Sequence, residues 1–476
     1  MTAQASSEAS PVAETPEYVS GLIRKARDAM AVFANADQAR VDEAVIAAAW
    51  SLYKPDRAKA LARKAVDSTG IGKTESKVIK NQRKTFGALR DLLRVKSVGV
   101  IEELPDLGLV KYAKPVGVVV AVTPSTNPSA TPVNKIMFAL KGRNAIIIAP
   151  SPAGREVTTE TIDVVRAELG KIGLPQDLVQ VPDAPPSKPL TAELMKQADL
   201  VVVTGSQNNV RQAYRSGTPA IGVGAGNVPV IIDESAELDA AADKICASKI
   251  FDNATSCSSE NSVVIVDSIY DDAIAALEKS GGYLASAFEK DAIQDVLWRD
   301  GKLNRDIIAR DAPIVAERVG LSGKARDAKF FMVEDEGAGP DHPFSGEKLS
   351  LVLTVYRARD FDDACRIVRD VLEFQGKGHS CGIHTQDIGH AEQLAETTDV
   401  VRVLVNQAHT FGNGGSFDNG LNFTLSMGCG TWAGNSISEN LNYRNFINIT
   451  HLVQTIPADE PSEQELFGAY WSRYGK

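Results

Sequence analysis

A cysteine set among small and polar neighbours is the first group in this sequence suited to covalent chemistry. Cys257 lies in Asn253-Ala-Thr-Ser-Cys257-Ser-Ser, between a helix end and a β-rich run. Small flanking residues leave room for a substrate to reach sulfur, and neighbouring backbone N–H groups can steady a thiolate and an oxyanion alike. Cys246 and Cys365, in KICASKI and DDACRIV, fit helix packing, while Cys381 and Cys429, in HSCGIHT and MGCGTW, flank loops. Asn127 stands between two prolines in PSTNPSATP, residues 124–132, just after the apolar run VGVVVAV. At the carboxyl end of a strand its amide could donate to an oxyanion, although the same spacing describes an Asx turn before a helix. His379, in Gly-Lys-Gly-His379-Ser, is a candidate base or thiol partner and reads equally as an exposed loop histidine. On the residues alone, nucleophile and ordinary packing both stand for Cys257.

Two glycine segments invite a nucleotide. Gly222-Val-Gly-Ala-Gly226 runs into VPVIID, an apparent strand, whereas a phosphate cradle needs a helix N-terminus, so it reads as a tight turn with close backbone packing. VVVTGSQNNVRQAY is the better contact, because a strand passes through Thr204-Gly205-Ser206 into a helix whose dipole and free amides point the same way. The six histidines show no HExxH spacing, and no metal site is expected.

The elements that must position these groups follow from periodicity. From about 18 to 93, apolar residues recur at three- and four-residue spacing among charges, which predicts several amphipathic helices. KSVGVIEEL and LVKYAKP read as a hairpin, and VGVVVAVTP as a strand buried on both faces. Strands are expected at 144–149, 178–181 and 200–204 between helical stretches, the alternation of a doubly wound sheet. A helix over 235–249 leads to the cysteine, and a second α/β stretch follows. It carries helices near 271–299 and 360–374, and strands near 261–267, 351–355, 381–384 and 402–405. The boundary between the two lobes is expected at 244–251, and NYRNFINITHL as an extended strand before a peripheral acidic tail.

Composition narrows the class. The chain has 476 residues, with 51 Lys and Arg against 61 Asp and Glu, a net charge of −10. That length suits two large lobes or about three folding units. A mild, dispersed acidity argues against nucleic acid or an anionic membrane as partner. The 5 cysteines lack CxxC spacing and the density of a disulfide scaffold, which predicts a reduced cytoplasmic protein. No stretch reaches the roughly 18 apolar residues of a membrane span. The start, MTAQASSEASPVAETPE, lacks the features of a secretory signal and reads as a disordered tail.

Taken together, TNPSATP with KGRNAIIIAPSP, TGSQNNVRQAYRSGTPAIGVGAGN, FDNATSCSSENSVV, GKGHSCGIHT and GCGTWAGNSISENL resemble the CoA-acylating aldehyde dehydrogenases, a branch of the aldehyde dehydrogenase superfamily, over about residues 17–452. With no iron-dependent alcohol dehydrogenase segment following, the stand-alone form is expected. The resemblance implies an α/β, aldehyde dehydrogenase-like fold: a Rossmann-type cofactor domain, an α/β catalytic domain and a small oligomerisation element. Residues 1–16 would be the tail and 17–243 the cofactor domain, its 97–114 hairpin shared with the oligomerisation element. Residues 244–431 would form the catalytic domain, and 432–476 the return segment with an oligomerisation strand and tail. A homodimer or homotetramer is implied.

The same resemblance makes Cys257 the nucleophile, forming a thiohemiacetal whose oxyanion meets the Asn127 amide and the Cys257 N–H. Hydride transfer leaves a thioester, and CoA, aided by His379, releases the acyl-CoA. Cofactor contacts are implied at Thr123, Pro124, Ser125, Ser151, Arg155, Gly205, Ser206, Gly224 and Glu347. Hydrolytic relatives activate water with a Glu in a Glu-Leu-Gly-Gly segment; here residues 220–227 contain no carboxylate, so CoA thiolate is the better acceptor. Ser151 and Arg155 in APSPAGRE suit a 2′-phosphate, which favours NADP over NAD. The carboxyl-terminal motifs look closest to enzymes of short anionic aldehydes. His409 and Phe423 tilt the choice from succinate semialdehyde to sulfoacetaldehyde, with Asn134, Lys135 and His409 as anion donors. A hydrolytic enzyme and a non-catalytic superfamily member are the rival readings.

Overall fold

The computed structural model describes residues 15–476. Most of the expected tail therefore lies outside the described residues, while Thr15 and Pro16 already open a helix. Four amphipathic helices come first, α1 (Thr15–Phe33), α2 (Gln38–Tyr53), α3 (Pro55–Thr69) and α4 (Thr74–Leu93). Asp37 caps α2 by accepting the Arg40 N–H, and Gly70, left-handed at φ 65°, ends α3. A hairpin follows, β1 (Gly99–Leu104) and β2 (Leu109–Pro115).

The first lobe is built on β3 (Val118–Thr123), β4 (Ala145–Pro150), β5 (Val179–Gln180), β6 (Leu200–Val203) and β7 (Ala220–Gly222). They form a parallel sheet in the order β5-β4-β3-β6-β7. All six residues of β3 and all six of β4 are buried, as a parallel sheet covered on both faces requires. Helices α5 (Ala130–Lys141) and α6 (Arg155–Lys171) pack on α2, while α1 packs on α7 (Lys188–Gln197). Helix α8 (Gln207–Arg215) joins β6 to β7.

The second lobe begins with β8 (Val228–Ile232), α9 (Leu238–Ile250) and β9 (Glu260–Val266). It continues through β10 (Gly282–Leu284), the small hairpin β11 (Trp298–Arg299) and β12 (Lys302–Leu303), then β13 (Phe330–Glu334), β14 (Val352–Ala358), β15 (Cys381–His384) and β16 (Val403–Val405). Seven of these strands make an all-parallel sheet, β10-β13-β14-β9-β8-β15-β16, with a separate apolar core on each face. The chain then returns, and Phe423, Leu441 and Phe446 join the first lobe's core before β17 (Ile447–Val453) pairs with β2. The result is a three-stranded antiparallel sheet, β1-β2-β17.

Several expectations shift. The chain changes sheets between Gly222 and Val228, ahead of the expected 244–251, because β8 pairs with β9 and β15 and so belongs wholly to the second lobe. The helix expected from 235 starts at Leu238, since Asp233 draws the Ser235 N–H and hydroxyl into a turn first. The 271–299 stretch is two helices with β10 between them, and the acidic tail holds a further helix, Glu463–Tyr474.

Asn144 shows how tightly the returning chain is tied to the first lobe. Wholly buried, it accepts from the Val116 and Gly117 N–H groups at 2.8 and 3.1 Å and donates to the Ala139 and Phe446 carbonyls at 3.0 and 2.8 Å. Asn144→Ala removes the partner of the Val116 and Gly117 N–H groups and of the buried Phe446 carbonyl, while the Ala139 carbonyl keeps the Gly142 and Asn144 N–H groups, and is expected to cost about 3 kcal/mol of stability, read as a lower denaturant midpoint. A loss below about 1 kcal/mol would contradict that role.

Candidate active site

The crest of the first sheet is a switch point. From β3 the chain moves out to β4 on one side, while the neighbouring β6 continues to β7 on the other. Open α/β sheets bind ligands in the crevice this creates. Thr123 ends β3 there, and its buried hydroxyl has no hydrogen-bond partner among the described residues. Pro124 and Ser125 follow it, and across the crevice Thr204-Gly205-Ser206 leads into α8, with the Ser206 hydroxyl accepting the Asn209 N–H. Ser151 donates its N–H to the Thr123 carbonyl at 3.1 Å and accepts from the Gly154 N–H. Arg155 donates to the Asp183 carbonyl at 2.5 Å, and the neighbouring Glu156 is held by Lys64 at 2.9 Å, on the outer face of α6. An orphan hydroxyl, a helix N-terminus and serines at strand ends fit a dinucleotide.

The segment carrying Cys257 is held in an unusual backbone. Asp252, Asn253 and Ala254 all lie in the left-handed region, at φ 51°, 53° and 58°. For non-glycine residues this costs roughly 1–3 kcal/mol each, so the surroundings must impose it. Asp252 accepts from the Lys73 N–H at 2.7 Å, Lys80 Nζ at 2.6 Å, Lys77 Nζ at 3.1 Å and the Thr255 hydroxyl at 2.8 Å. Gly72 in the TGIGKT turn is bare for the same reason: a Cβ there would sit 2.7 Å from Asp252 Cγ. Asn253 donates to the Ala309 carbonyl and Asp311. Lys77 also donates to the Thr126 carbonyl at 2.8 Å, so one ammonium spans the Asn127 loop and the Cys257 loop. The Asn127 carbonyl accepts the Thr131 N–H where α5 begins, and its side-chain amide makes no hydrogen bond to the described residues.

Cys257 lines a narrow cavity with Asn227, Lys249, Asn261 and Glu347. Burial first, then the Glu347 carboxylate and Cys429, pushes its thiol up to about 12; a Ser258 hydrogen bond and Arg402 partly offset this. Burial likewise raises Glu347 to about 7 and lowers Lys249 to about 7, where Lys249 Nζ donates to the Glu260 carbonyl. The glycine run is the close-packed turn expected of it. A Cβ on Gly226 would lie 2.6 Å from that of Cys257, and one on Gly224 2.8 Å from the Cys429 sulfur.

His379 follows a second tight turn, with Gly376 and Gly378 at φ 96° and 83°, pressed against Asn227 and Cys429. Contrary to the exposed loop its surroundings suggested, it is 1% exposed. Burial first, then Arg402 and His409, holds it well below the ordinary histidine range and therefore neutral. Its Nδ1 is 2.7 Å from the Ser380 hydroxyl, and its Nε2 has no partner among the described residues.

The three anticipated anion donors are not linked by any hydrogen bond. Asn134 accepts from the Leu425 N–H and leaves its Nδ2 buried and unpaired. Lys135 bridges the Val122 and Val202 carbonyls at the ends of β3 and β6, wholly buried and lowered to about 7. His409 lies with the second lobe, its Nε2 on Ser380 and its backbone N–H on Glu260.

Sequence reasoning missed Lys249, Arg402 and the Asp252 cluster. Arg402 is buried, donates to the His379 and Gly428 carbonyls and to Asn440, and keeps an unpaired Nε. The signal for the cluster was present: Lys77, Lys80 and Lys84 recur at three- and four-residue spacing, and all three are buried.

The geometry gives a direct expectation for sulfur. With the thiol raised by burial, alkylation of Cys257 by iodoacetamide in the free protein should still climb with pH above 9, measured by peptide mass; a plateau below pH 8 would contradict that environment.

A sequence model of the aldehyde dehydrogenase family matches residues 6–284. The chain is 52% identical to a sulfoacetaldehyde dehydrogenase (acylating) of Cupriavidus necator, over 98% of this chain and 95% of the relative. Among solved structures, an acetylating aldehyde dehydrogenase from Geobacillus thermoglucosidasius superposes with a TM-score of 0.90 at 32% identity, covering 95% of this chain and 100% of that one. A Rhodopseudomonas palustris propionaldehyde dehydrogenase with bound CoA and an acylated cysteine superposes at 0.81 with 25% identity, covering 92% and 97%.

Proposed function

The chain belongs to the aldehyde dehydrogenase family, and we propose that it converts a short anionic aldehyde, sulfoacetaldehyde foremost, to its CoA thioester through a thioester on Cys257, with NADP taking the hydride. The observation that carries this reading is the Cys257 cavity, closed on one side by a glycine turn without the water-activating carboxylate of hydrolytic members.

Cys257 sulfur attacks the aldehyde carbon. Its proton has two neighbours able to take it near neutrality, Lys249 and Glu347. The free amide of Asn127 and the Cys257 N–H receive the oxyanion, and loss of one such donor typically costs ~10²-fold or more. A nicotinamide bound at the crest supplies the hydride acceptor, with Thr123, Pro124, Ser125, Ser151, Arg155, Gly205, Ser206, Gly224 and Glu347 as its contacts. The thioester left on Cys257 is attacked by CoA, whose thiol proton passes to His379 Nε2.

Two features support an anionic substrate. Lys77 and Lys80 share the single carboxylate of Asp252, which leaves a buried excess of positive charge beside both loops. Asn134 Nδ2 is an unpaired buried donor. For the cofactor, Glu156 is engaged by Lys64 and does not oppose a 2′-phosphate at Ser151 and Arg155. Self-association as a homodimer or homotetramer is read from the small sheet, whose β17 is exposed beyond Ile447. Five unpaired cysteines suit the cytoplasm.

Reduced-cofactor absorbance should rise continuously only when aldehyde, NADP and CoA are all present, and Cys257→Ala should abolish it. Sustained turnover without CoA would instead establish the hydrolytic reading. Across sulfoacetaldehyde, succinate semialdehyde, glycolaldehyde and propionaldehyde, the first should have the highest kcat/KM. Arg155→Gln should lower kcat/KM for NADP about tenfold, the effect of one charge-assisted contact, and spare NAD; an equal fall for both would remove Arg155 from 2′-phosphate recognition.

A further inference from the structure

Behind His379 stands a second histidine, with one hydroxyl between them. Ser380 Oγ is 2.7 Å from His379 Nδ1 and 2.9 Å from His409 Nε2. Ser380 is wholly buried and both histidines are 1% exposed. We propose that Ser380 and His409 are positioning residues that lock His379 as its Nδ1–H tautomer, leaving the Nε2 lone pair free to accept the CoA thiol proton. This rests on the reading of His379 as the base of the acyl-transfer step.

A hydroxyl has a single proton, so Ser380 donates to one imidazole and accepts from the other. Each neutral imidazole has one N–H and one lone pair. Both rings are kept neutral by burial, with the Arg402 charge acting in the same direction on each. Two settings of the chain exist. If His409 donates to Ser380 and Ser380 to His379, then His379 carries hydrogen on Nε2 and cannot act as a base. If His379 Nδ1–H donates to Ser380 and Ser380 to His409 Nε2, the lone pair is on His379 Nε2 and the His409 hydrogen on Nδ1, both without a partner among the described residues, and this is the setting that the acyl-transfer step requires. The main chain beneath both rings is held, the backbone N–H of His409 by Glu260 at 2.9 Å and the His379 carbonyl by Arg402 at 2.8 Å, and both rings are enclosed at 1% exposure.

In the step itself the CoA sulfur forms its bond to the thioester carbonyl carbon while its proton moves to His379 Nε2. The carbon–sulfur bond to Cys257 then breaks, and the proton returns from His379 to the Cys257 thiolate. No oxidant or further reactant is needed. While charged, the imidazolium donates Nδ1–H to Ser380, which strengthens that bond.

Nitrogen-15 NMR of the full-length protein labelled at histidine, with the His379 signals assigned by loss in His379→Gln, reads the tautomer without altering the site. Protonated Nδ1 is expected; protonated Nε2 overturns the proposal. Stopped-flow measurement of the acyl-transfer rate relative to the reduced-cofactor burst supplies the second reading. Ser380→Ala should lower that ratio about tenfold to a hundredfold, up to the lower end of the roughly 10²–10⁴-fold that a whole general base contributes, and Ser380→Thr should restore most of it. An unchanged ratio in Ser380→Ala, with His379→Gln clearly slowed, overturns the tautomer lock alone. An unchanged ratio in His379→Gln overturns the base assignment beneath it.

Discussion

Asp252 is the group on which the rest of the site depends. Its carboxylate is buried and meets two ammonium groups, a hydroxyl and a backbone N–H. Those bonds offset three successive left-handed residues, a backbone that would otherwise relax to an ordinary turn and carry Cys257 with it. The lysines belong to α4, and one of them also grips Thr126, beside Asn127. Cys257 and Asn127, the proposed nucleophile and oxyanion donor, thus sit on different lobes and are linked through one ion cluster. Removal of one partner from such a buried cluster leaves an uncompensated charge, which is why it acts as a constraint as much as a source of stability.

Around that anchor the packing is backbone against backbone. Gly224 and Gly226 let one turn pass between Cys257 and Cys429, and Gly376 and Gly378 let another pass against Asn227 and Cys429. Side chains at any of these positions would push apart the segments that carry sulfur and His379. Burial moves these ionisable groups toward their neutral forms: the thiol and Glu347 upward, Lys249 in the same cavity and His379 behind its glycine turn downward. A half-buried thiol raised in this way needs a proton acceptor at hand, and Lys249 and Glu347 are in the same cavity.

Local patterns announced much of this. The continuous apolar run of β3 betrayed a strand buried on both faces, the runs of β4 and β8 were legible as strands, and the small residues around Cys257 set it apart from the helix-borne cysteines. The glycines of residues 222–226 were legible as a close-packed turn because a strand, not a helix, follows them. What stayed hidden depends on contacts between distant residues. His379 looks like a loop histidine, and only the return of residues 402–441 buries it. Arg402 reads as a surface charge until its guanidinium is seen bonded to carbonyls from two loops. The lobe boundary was misplaced because β8 lies in sequence beside the first sheet and pairs only with later strands. The buried lysine stripe on α4 was visible as periodicity, yet lysine at apolar spacing reads as a solvated face unless its carboxylate partner is known.

In the proposed reaction the acyl group passes from aldehyde to CoA through the sulfur of Cys257. The most direct test is to mix the protein with sulfoacetaldehyde and NADP, omit CoA, quench in acid and map the peptides by mass. A sulfoacetyl thioester is expected on the Cys257 peptide, lost on addition of CoA with an equal amount of acyl-CoA formed. An acyl group on another cysteine, or free acid accumulating without CoA while Cys257 stays unmodified, would contradict it.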